Sequence, residues 1–262
     1  MTAEHEEDFP KVQGGGSLIL AWQIRGKNVL VIGGGEVAAG RILNCLDADA
    51  VVTVICPTSG LNPEVAYRVA KSQVIHIDRK FEPSDLDPDK KVNMVLTAVD
   101  DPVASTMIWK LCKERNIPAN IADVPPECDF YFGSVHRDGP LQIMVSTNGK
   151  GPRLASSIRK KIASDLPQNA GAAIEKVGKL RGMLRKVAPG SEAVSSRMGW
   201  MIKVSDAFSW ETFCEMTEED MENLLVFYSR GEVPTLELLK SMREDPAGEY
   251  FFDGSFGFSV GC

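Results

Sequence analysis

The sequence is poor in the residues that mark several common protein classes. Its 262 residues include three histidines and six cysteines, and no two cysteines form a Cys-x-x-Cys pair. This usage indicates free thiols in a reducing compartment and excludes a disulfide framework or a structural zinc site. No apolar run approaches the roughly 20 residues that cross a bilayer. We therefore expect a cytoplasmic protein with no membrane association and no permanent metal ion.

Basic residues are also missing from the first eight positions, which carry four acids, so we expect no secretory or transit peptide. The net charge of −7 argues against general nucleic-acid binding. This charge is unevenly distributed, because residues 150–186 hold ten Lys or Arg against two acids. A basic segment in an acidic protein suggests attraction of a small polyanion, although solvated helix faces would give the same pattern.

The first half of the chain alternates short apolar runs with helical segments up to about residue 148. The runs are β-branched and too short for buried helices, which is typical of buried parallel strands. This order predicts βαβ units and a Rossmann-type, doubly wound parallel α/β sheet. The predicted strands are 28–32, 51–56, 73–77, 92–98, 119–122 and 141–146, and the predicted helices are 36–46, 64–71 and 102–115.

Only helices are predicted after residue 148. Thr217 and Asp220 have the spacing of a capping box at the start of one of them. The predicted helices are 154–166, 172–187, 191–208, 217–231 and 235–243. We divide the chain into a flexible lead-in (1–16), a dinucleotide-binding domain (17–148), a central segment (149–190), a helical C-terminal domain (191–248) and a tail (249–262).

Glycines follow the first predicted strand. Gly33, Gly34 and Gly35 begin a G-x-G-x-x-A motif that ends at Ala38 in the first predicted helix. The first glycine of the motif allows a tight turn, the second lets the backbone approach a pyrophosphate, and the small last residue permits close helix packing. The amides at the helix start then face the phosphates. A plain strand-to-helix turn is the alternative, but the motif in this context favours a dinucleotide.

The second predicted strand ends without the acid that commonly holds the ribose of NAD, and no arginine follows to hold a 2′-phosphate. We favour NAD over NADP, with the ribose held by Thr58, Ser59 and local backbone. Thr97 and Ala98 end the fourth strand at the same carboxyl edge, which lines the nicotinamide side in such folds.

Four blocks of sequence together resemble a known family. They are residues 33–38, 120–125, 128–133 and 141–149. Over about residues 17–190 the chain is similar to the fungal bifunctional siroheme-synthesis enzymes and to the N-terminal module of bacterial siroheme synthase. The resemblance implies NAD-dependent oxidation of precorrin-2 to sirohydrochlorin, followed by insertion of ferrous iron, as a substrate, to give siroheme. It also implies a homodimer in which the central segment interlocks the subunits.

The resemblance further implies site residues. The family's key acid falls on Asp123, which we expect to act as a base in both steps, although a turn or cap acid is the simpler role for an aspartate. The predicted cofactor contacts are Gly33, Gly34, Gly35, Glu36, Val37, Pro57, Thr58, Thr97 and Ala98. The carboxylates of the tetrapyrrole are expected to meet Ser146, Thr147, Asn148, Lys150 and Arg153.

Histidines bear on the alternatives that stay open. The yeast-type enzyme has histidines in its C-terminal domain, whereas none follows His136 here, so a dehydrogenase without chelatase activity is the first alternative. A non-catalytic NAD-sensing module is the second. We expect His76 to be structural in its strand and His136 to face solvent in a turn.

Overall fold

A computed structural model describes residues 14–244 of the chain. These residues form two compact units. The first unit combines residues 14–133 with 146–152, and the second combines residues 134–145 with 153–244. Among the described helices, none is long and apolar enough to cross a membrane.

A parallel five-stranded sheet is the centre of the first unit. Its strands are β1 (Asn28–Ile32), β2 (Val51–Ile55), β3 (Ile75–Ile77), β4 (Val92–Thr97) and β5 (Ala119–Ile121). Its helices are α1 (Glu36–Leu46), α2 (Pro63–Ala70) and α3 (Pro102–Glu114). The strand order β3-β2-β1-β4-β5 is that of a Rossmann-type sheet and confirms the predicted fold class. All five strands end at one edge, because every pairing is parallel.

Burial on both faces of the sheet explains the continuous apolar runs of the sequence. Successive side chains of a strand point to opposite faces. Val29 and Val31 therefore pack in the core with α1 and α2, whereas Leu30 and Ile32 pack in the core with α3. All four are at most 4% exposed. Each such side chain contributes about 1.5–3 kcal/mol to stability, which favours a strand buried on both sides.

An antiparallel hairpin opens the second unit and corrects two expectations. β6 (Ser134–Asp138) pairs with β7 (Leu141–Val145), so the strand predicted at 141–146 is not part of the parallel sheet. The turn between them contains Gly139 at φ 53°. β6 escaped prediction because Val135 is its one apolar residue. His136 is half-buried in β6 and does not lie in the turn.

Helices make up the rest of the second unit. They are α4 (Pro152–Asp165), α5 (Ala170–Val187), α6 (Val194–Ala207), α7 (Trp210–Glu215), α8 (Glu218–Val226) and α9 (Leu236–Glu244). The six-residue α7 was not predicted. A single-turn 3-10 helix precedes α6, and another follows α8 and ends at Gly231, which has φ 68°. The predicted tail (249–262) lies outside the described residues.

Candidate functional site

The turn after β1 requires glycine at its first position. Gly33 has φ 115°, and a Cβ there would lie 2.1 Å from the carbonyl oxygen of Ala98. Two backbone hydrogen bonds fix the turn: Gly33 N donates to Ile55 O at 3.0 Å, and Ala98 N donates to Ile32 O at 2.8 Å. The loop therefore lies at the switch point between β1 and β4, where sheets of this order bind their ligands.

Gly34 packs the loop against the segment that follows β2. A Cβ on Gly34 would come within 2.8 Å of the Cys56 sulfur. Asn62 N donates a 2.8 Å hydrogen bond to Gly34 O. The predicted contacts Pro57 and Thr58 belong to this segment, so the structure places them beside the glycine loop.

Gly35 leaves the start of α1 open. It is the N-cap residue of α1, with no side-chain cap among the described residues, and a Cβ on it would meet nothing within 4 Å. Glu36 and Val37 follow as exposed residues of the first helical turn, whereas Ala38 is fully buried against the sheet. Uncapped amides at a helix start, with free space above them, fit the pyrophosphate of a dinucleotide.

Arg41 of α1 joins the ends of β4 and β5. Its Nη1 donates to Thr97 O at 2.9 Å and, at 3.4 Å, to Asn120 O. Its guanidinium carbon lies 5.8 Å from the centre of the Phe132 ring. The hydroxyl of Thr97 is buried and has no hydrogen-bond partner among the described residues. Thr97 therefore contacts Arg41 through its carbonyl oxygen and not through its hydroxyl. No feature of the sequence pointed to Arg41.

Asp123 presents an exposed carboxylate in the turn after β5. It has φ 59°, a left-handed conformation that aspartate tolerates better than most residues. Val124 N donates to Ile121 O at 3.4 Å, and the Cys128 thiol donates to the same oxygen at 3.1 Å. Burial lowers the pKa of Arg41, and the nearby Cys128 and Asp123 oppose that decrease. A carboxylate and a cation thus lie near each other at the edge that carries the glycine loop.

An acid that the sequence reading missed lies at the end of β3. Thr58 N donates to Asp78 Oδ1 at 2.6 Å. The hydrogen bonds with Thr58 hold the pKa of this exposed carboxyl below its usual value. His76, in β3, also has a structural contact, since its Nε2 lies 2.8 Å from Cys56 O. Asp78 comes directly after β3, at the carboxyl edge of the sheet. Only the pairing of β2 with β3 shows that it lies beside the end of β2.

The predicted substrate-binding residues fall in two places. Four of them lie in the loop 146–152 of the first unit, and the fifth lies on α4 in the second. In the loop, Asn148 N donates to Ser146 Oγ and Gly151 N donates to Thr147 Oγ1, each at 3.1 Å. Lys150 is exposed. The five are Ser146, Thr147, Asn148, Lys150 and Arg153.

Part of the basic segment 150–186 is used inside the second unit. Lys176 Nζ donates to Met216 O at 2.7 Å, and Lys179 forms an ion pair with Glu218. These cations hold α5 to the helices that follow it. The exposed cations of the segment include Lys150, Arg153, Lys160 and Lys161.

Three family models together match most of the chain. An NAD(P)-binding family matches residues 20–134, a sirohaem biosynthesis protein central family matches 138–164, and a sirohaem biosynthesis protein C-terminal family matches 167–234. A siroheme biosynthesis protein of Schizosaccharomyces pombe is 51% identical over 247 residues, which cover 94% of this chain and 92% of that relative. The chain belongs to the family of fungal siroheme biosynthesis proteins.

Other relatives agree with membership of this siroheme biosynthesis family. A siroheme biosynthesis protein of Saccharomyces cerevisiae is 32% identical over 228 residues, which cover 73% of this chain and 83% of that protein. A siroheme synthase of Thioalkalivibrio sulfidiphilus is 38% identical over 149 residues, which cover 57% of this chain and 29% of that protein. The solved structure of SirC, a precorrin-2 dehydrogenase, matches with a TM-score of 0.59 at 19% identity and covers 86% of this chain and 100% of its own. The predicted family, the fold and an NAD(P)-binding domain are thereby confirmed.

Proposed function

We propose that this member of the siroheme biosynthesis family catalyses the NAD-dependent oxidation of precorrin-2 to sirohydrochlorin. One observation carries the proposal: the exposed Asp123 carboxylate follows β5 at the edge of the sheet where Gly35 leaves the start of α1 open. Arg41, on the same helix, reaches the end of β5 through Asn120 O. A dinucleotide on the loop and an acid beside it are the two parts that such an oxidation needs.

The reaction removes two hydrogens from the macrocycle, one as a hydride and one as a proton. Bound NAD supplies the hydride acceptor. We infer that the amides of the first turn of α1 hold the pyrophosphate and that the carboxylate of Asp123 accepts the proton. The backbone of Thr97 and Ala98 lies at the switch point, where folds of this order place the nicotinamide.

Insertion of ferrous iron into sirohydrochlorin is the second activity that we propose, with iron as a substrate. Metal entry displaces pyrrole N–H protons, and the exposed Asp123 carboxylate is able to receive them as well. A dehydrogenase that leaves iron insertion to another protein is the alternative, because no histidine follows His136. Incubation with sirohydrochlorin and ferrous iron, without NAD, separates the two: a rate no greater than the spontaneous one favours the alternative.

Exposed cations support a polycarboxylate substrate. Burying many carboxylates without counter-charges would be prohibitive. Lys150 and Arg153 are exposed in the segment that follows β7. We infer that these cations, together with Ser146, Thr147 and Asn148, contact the carboxylates of the tetrapyrrole.

An anaerobic assay with precorrin-2 and NAD tests the main proposal. We expect NADH to form as precorrin-2 is consumed. Asp123→Asn keeps the shape of the side chain and removes the base, so turnover should fall on the order of a hundredfold or more. The affinity for NAD should stay within about twofold, since the glycine loop is unchanged.

Asp89→Asn is the matched control, because Asp89 is an exposed acid just before β4, at the opposite edge of the sheet. Wild-type turnover by Asp123→Asn would eliminate Asp123 as the base. A chain that binds NAD but forms no NADH at any precorrin-2 concentration would instead be a sensing module.

A further inference from the structure

The end of β2 is completed by a residue from the neighbouring strand. β2 and β3 run parallel with Ile55 opposite Ile77, so the residues that follow each strand leave the sheet side by side. Asp78 is the first residue after β3, and its Oδ1 accepts a 2.6 Å hydrogen bond from Thr58 N. The acid that is missing after β2 in the sequence is therefore present there in space.

The same segment contacts the glycine loop. Thr58 begins a 3-10 turn that ends at Gly60, and a Cβ on Gly34 would lie 2.8 Å from Gly60 O. Asn62 N donates to Gly34 O at 2.8 Å. The carboxylate of Asp78 is thus held by a turn that packs on the glycine loop. In the strand order, Asp78 lies on one side of β1, and β4 and Asp123 lie on the other. In sheets of this order the adenosine ribose lies on that side.

We propose that Asp78 selects NAD over NADP, by accepting a hydrogen bond from the 2′-hydroxyl of the adenosine ribose and by repelling a 2′-phosphate. The inference rests on the proposed use of a nicotinamide dinucleotide. It adds a specificity-determining residue to that site. Thr58 N holds Oδ1 of Asp78, and the side chain is exposed at this edge, where a ribose hydroxyl can reach the carboxylate.

The charges around this edge agree with a site for an uncharged ribose. Arg79, the next residue along the chain, turns toward Asp85, to which its two terminal nitrogens donate at 2.8 and 2.5 Å. The cation next to Asp78 in the sequence is therefore paired with Asp85. The hydrogen bonds from Thr58 hold the pKa of Asp78 below its usual value, so the carboxylate is an anion at neutral pH.

Calorimetric titration of the full chain with NAD and with NADP tests the assignment. Asp78→Asn removes the charge and keeps an oxygen that can accept from Thr58 N. We expect this variant to bind NADP on the order of tenfold more tightly and NAD several-fold more weakly. Asp89→Asn, with the same change of charge at the opposite edge of the sheet, should leave both affinities unchanged.

A second measurement needs only the wild-type chain. Salt screens the repulsion between exposed charges, so the preference for NAD should shrink as ionic strength rises. An unchanged ratio of affinities in Asp78→Asn, or a wild-type preference that salt does not alter, would overturn the role of Asp78 and leave the proposed function standing. Failure of the wild-type chain to bind either nucleotide would overturn both.

Discussion

Three adjacent glycines have three different physical reasons to be glycine. Gly33 needs a positive φ and close contact with Ala98, and Gly34 has no room for a Cβ beside Cys56. Gly35 has neither restriction, since its φ is −76° and the space around it is empty. Its small size is therefore not required by the fold. A ligand in that space is the physical reason we infer for glycine at this position.

Replacement of Gly35 by aspartate separates stability from binding. Aspartate is a preferred N-cap residue and its charge is favourable at a helix start, so the melting temperature should stay unchanged or rise slightly. The same carboxylate would occupy the space proposed for the pyrophosphate and repel it, so NAD affinity should fall about a hundredfold or more. Thermal unfolding and titration with NAD measure the two effects.

Gly40→Asp is the control for that variant. Gly40 lies further along α1, is exposed, and has no neighbour within 4 Å of a Cβ. The control adds the same charge to the same helix and should bind NAD normally. Normal binding by Gly35→Asp as well would show that the start of α1 does not hold the phosphates.

At the scale of single residues, the sequence predicted a functional role where the neighbouring residues in the chain were enough to indicate it. The glycine loop is a short motif with a physical meaning at each position, and the resemblance pointed to Asp123. Arg41 and Asp78 depend on contacts with residues distant in the chain, 56 positions away for Arg41 and Thr97 and 20 positions away for Asp78 and Thr58. Such contacts become visible only when strand order and register are known.

Elements of secondary structure were predictable where burial gives a strong pattern. The strands of the parallel sheet and the helices between them begin and end within two residues of the predicted positions, because both faces of the strands are buried. β6 alternates half-buried and exposed residues, and α7 has six residues, so neither leaves a pattern long enough to detect.

The capping box at the start of α8 is both a predicted and an observed feature. Thr217 Oγ1 accepts from Asp220 N at 3.1 Å, and Asp220 Oδ2 accepts from Thr217 N at 2.8 Å. Arg243 of α9 also donates to Asp220 Oδ2, at 3.0 Å, and the aspartate is fully buried. One carboxylate therefore caps α8 and joins it to α9.

Loss of that carboxylate should destabilise the second unit. Asp220→Ala should lower the free energy of unfolding by about 2–3 kcal/mol, because it removes the carboxylate that accepts from Thr217 N and from the half-buried Arg243. Thr217→Ala should cost about 1 kcal/mol, the usual value for an N-cap. Urea denaturation followed by circular dichroism measures both, with Glu219→Ala as an exposed first-turn control. Equal effects of Asp220→Ala and Glu219→Ala would contradict this account.

At the scale of the whole molecule, α4 carries an apolar stripe that the rest of residues 14–244 leaves exposed. Leu154, Ile158 and Ile162 recur every four residues on α4 and are 68%, 48% and 37% exposed. Residues at this spacing lie on one face of a helix. Contiguous apolar surface of this kind usually marks an interface, which supports the proposed homodimer through the central segment.

A charge within the stripe tests the dimer. Ile158→Glu would place a carboxylate in the proposed apolar interface, where it has no partner, so the chain should become monomeric at micromolar concentration. Ser157→Glu adds the same charge to an adjacent exposed position, about 100° around the helix, and should remain dimeric. Light scattering coupled to gel filtration gives both masses. A dimer that tolerates glutamate at position 158 would place the interface elsewhere, and a wild-type monomer would show that the stripe serves another contact.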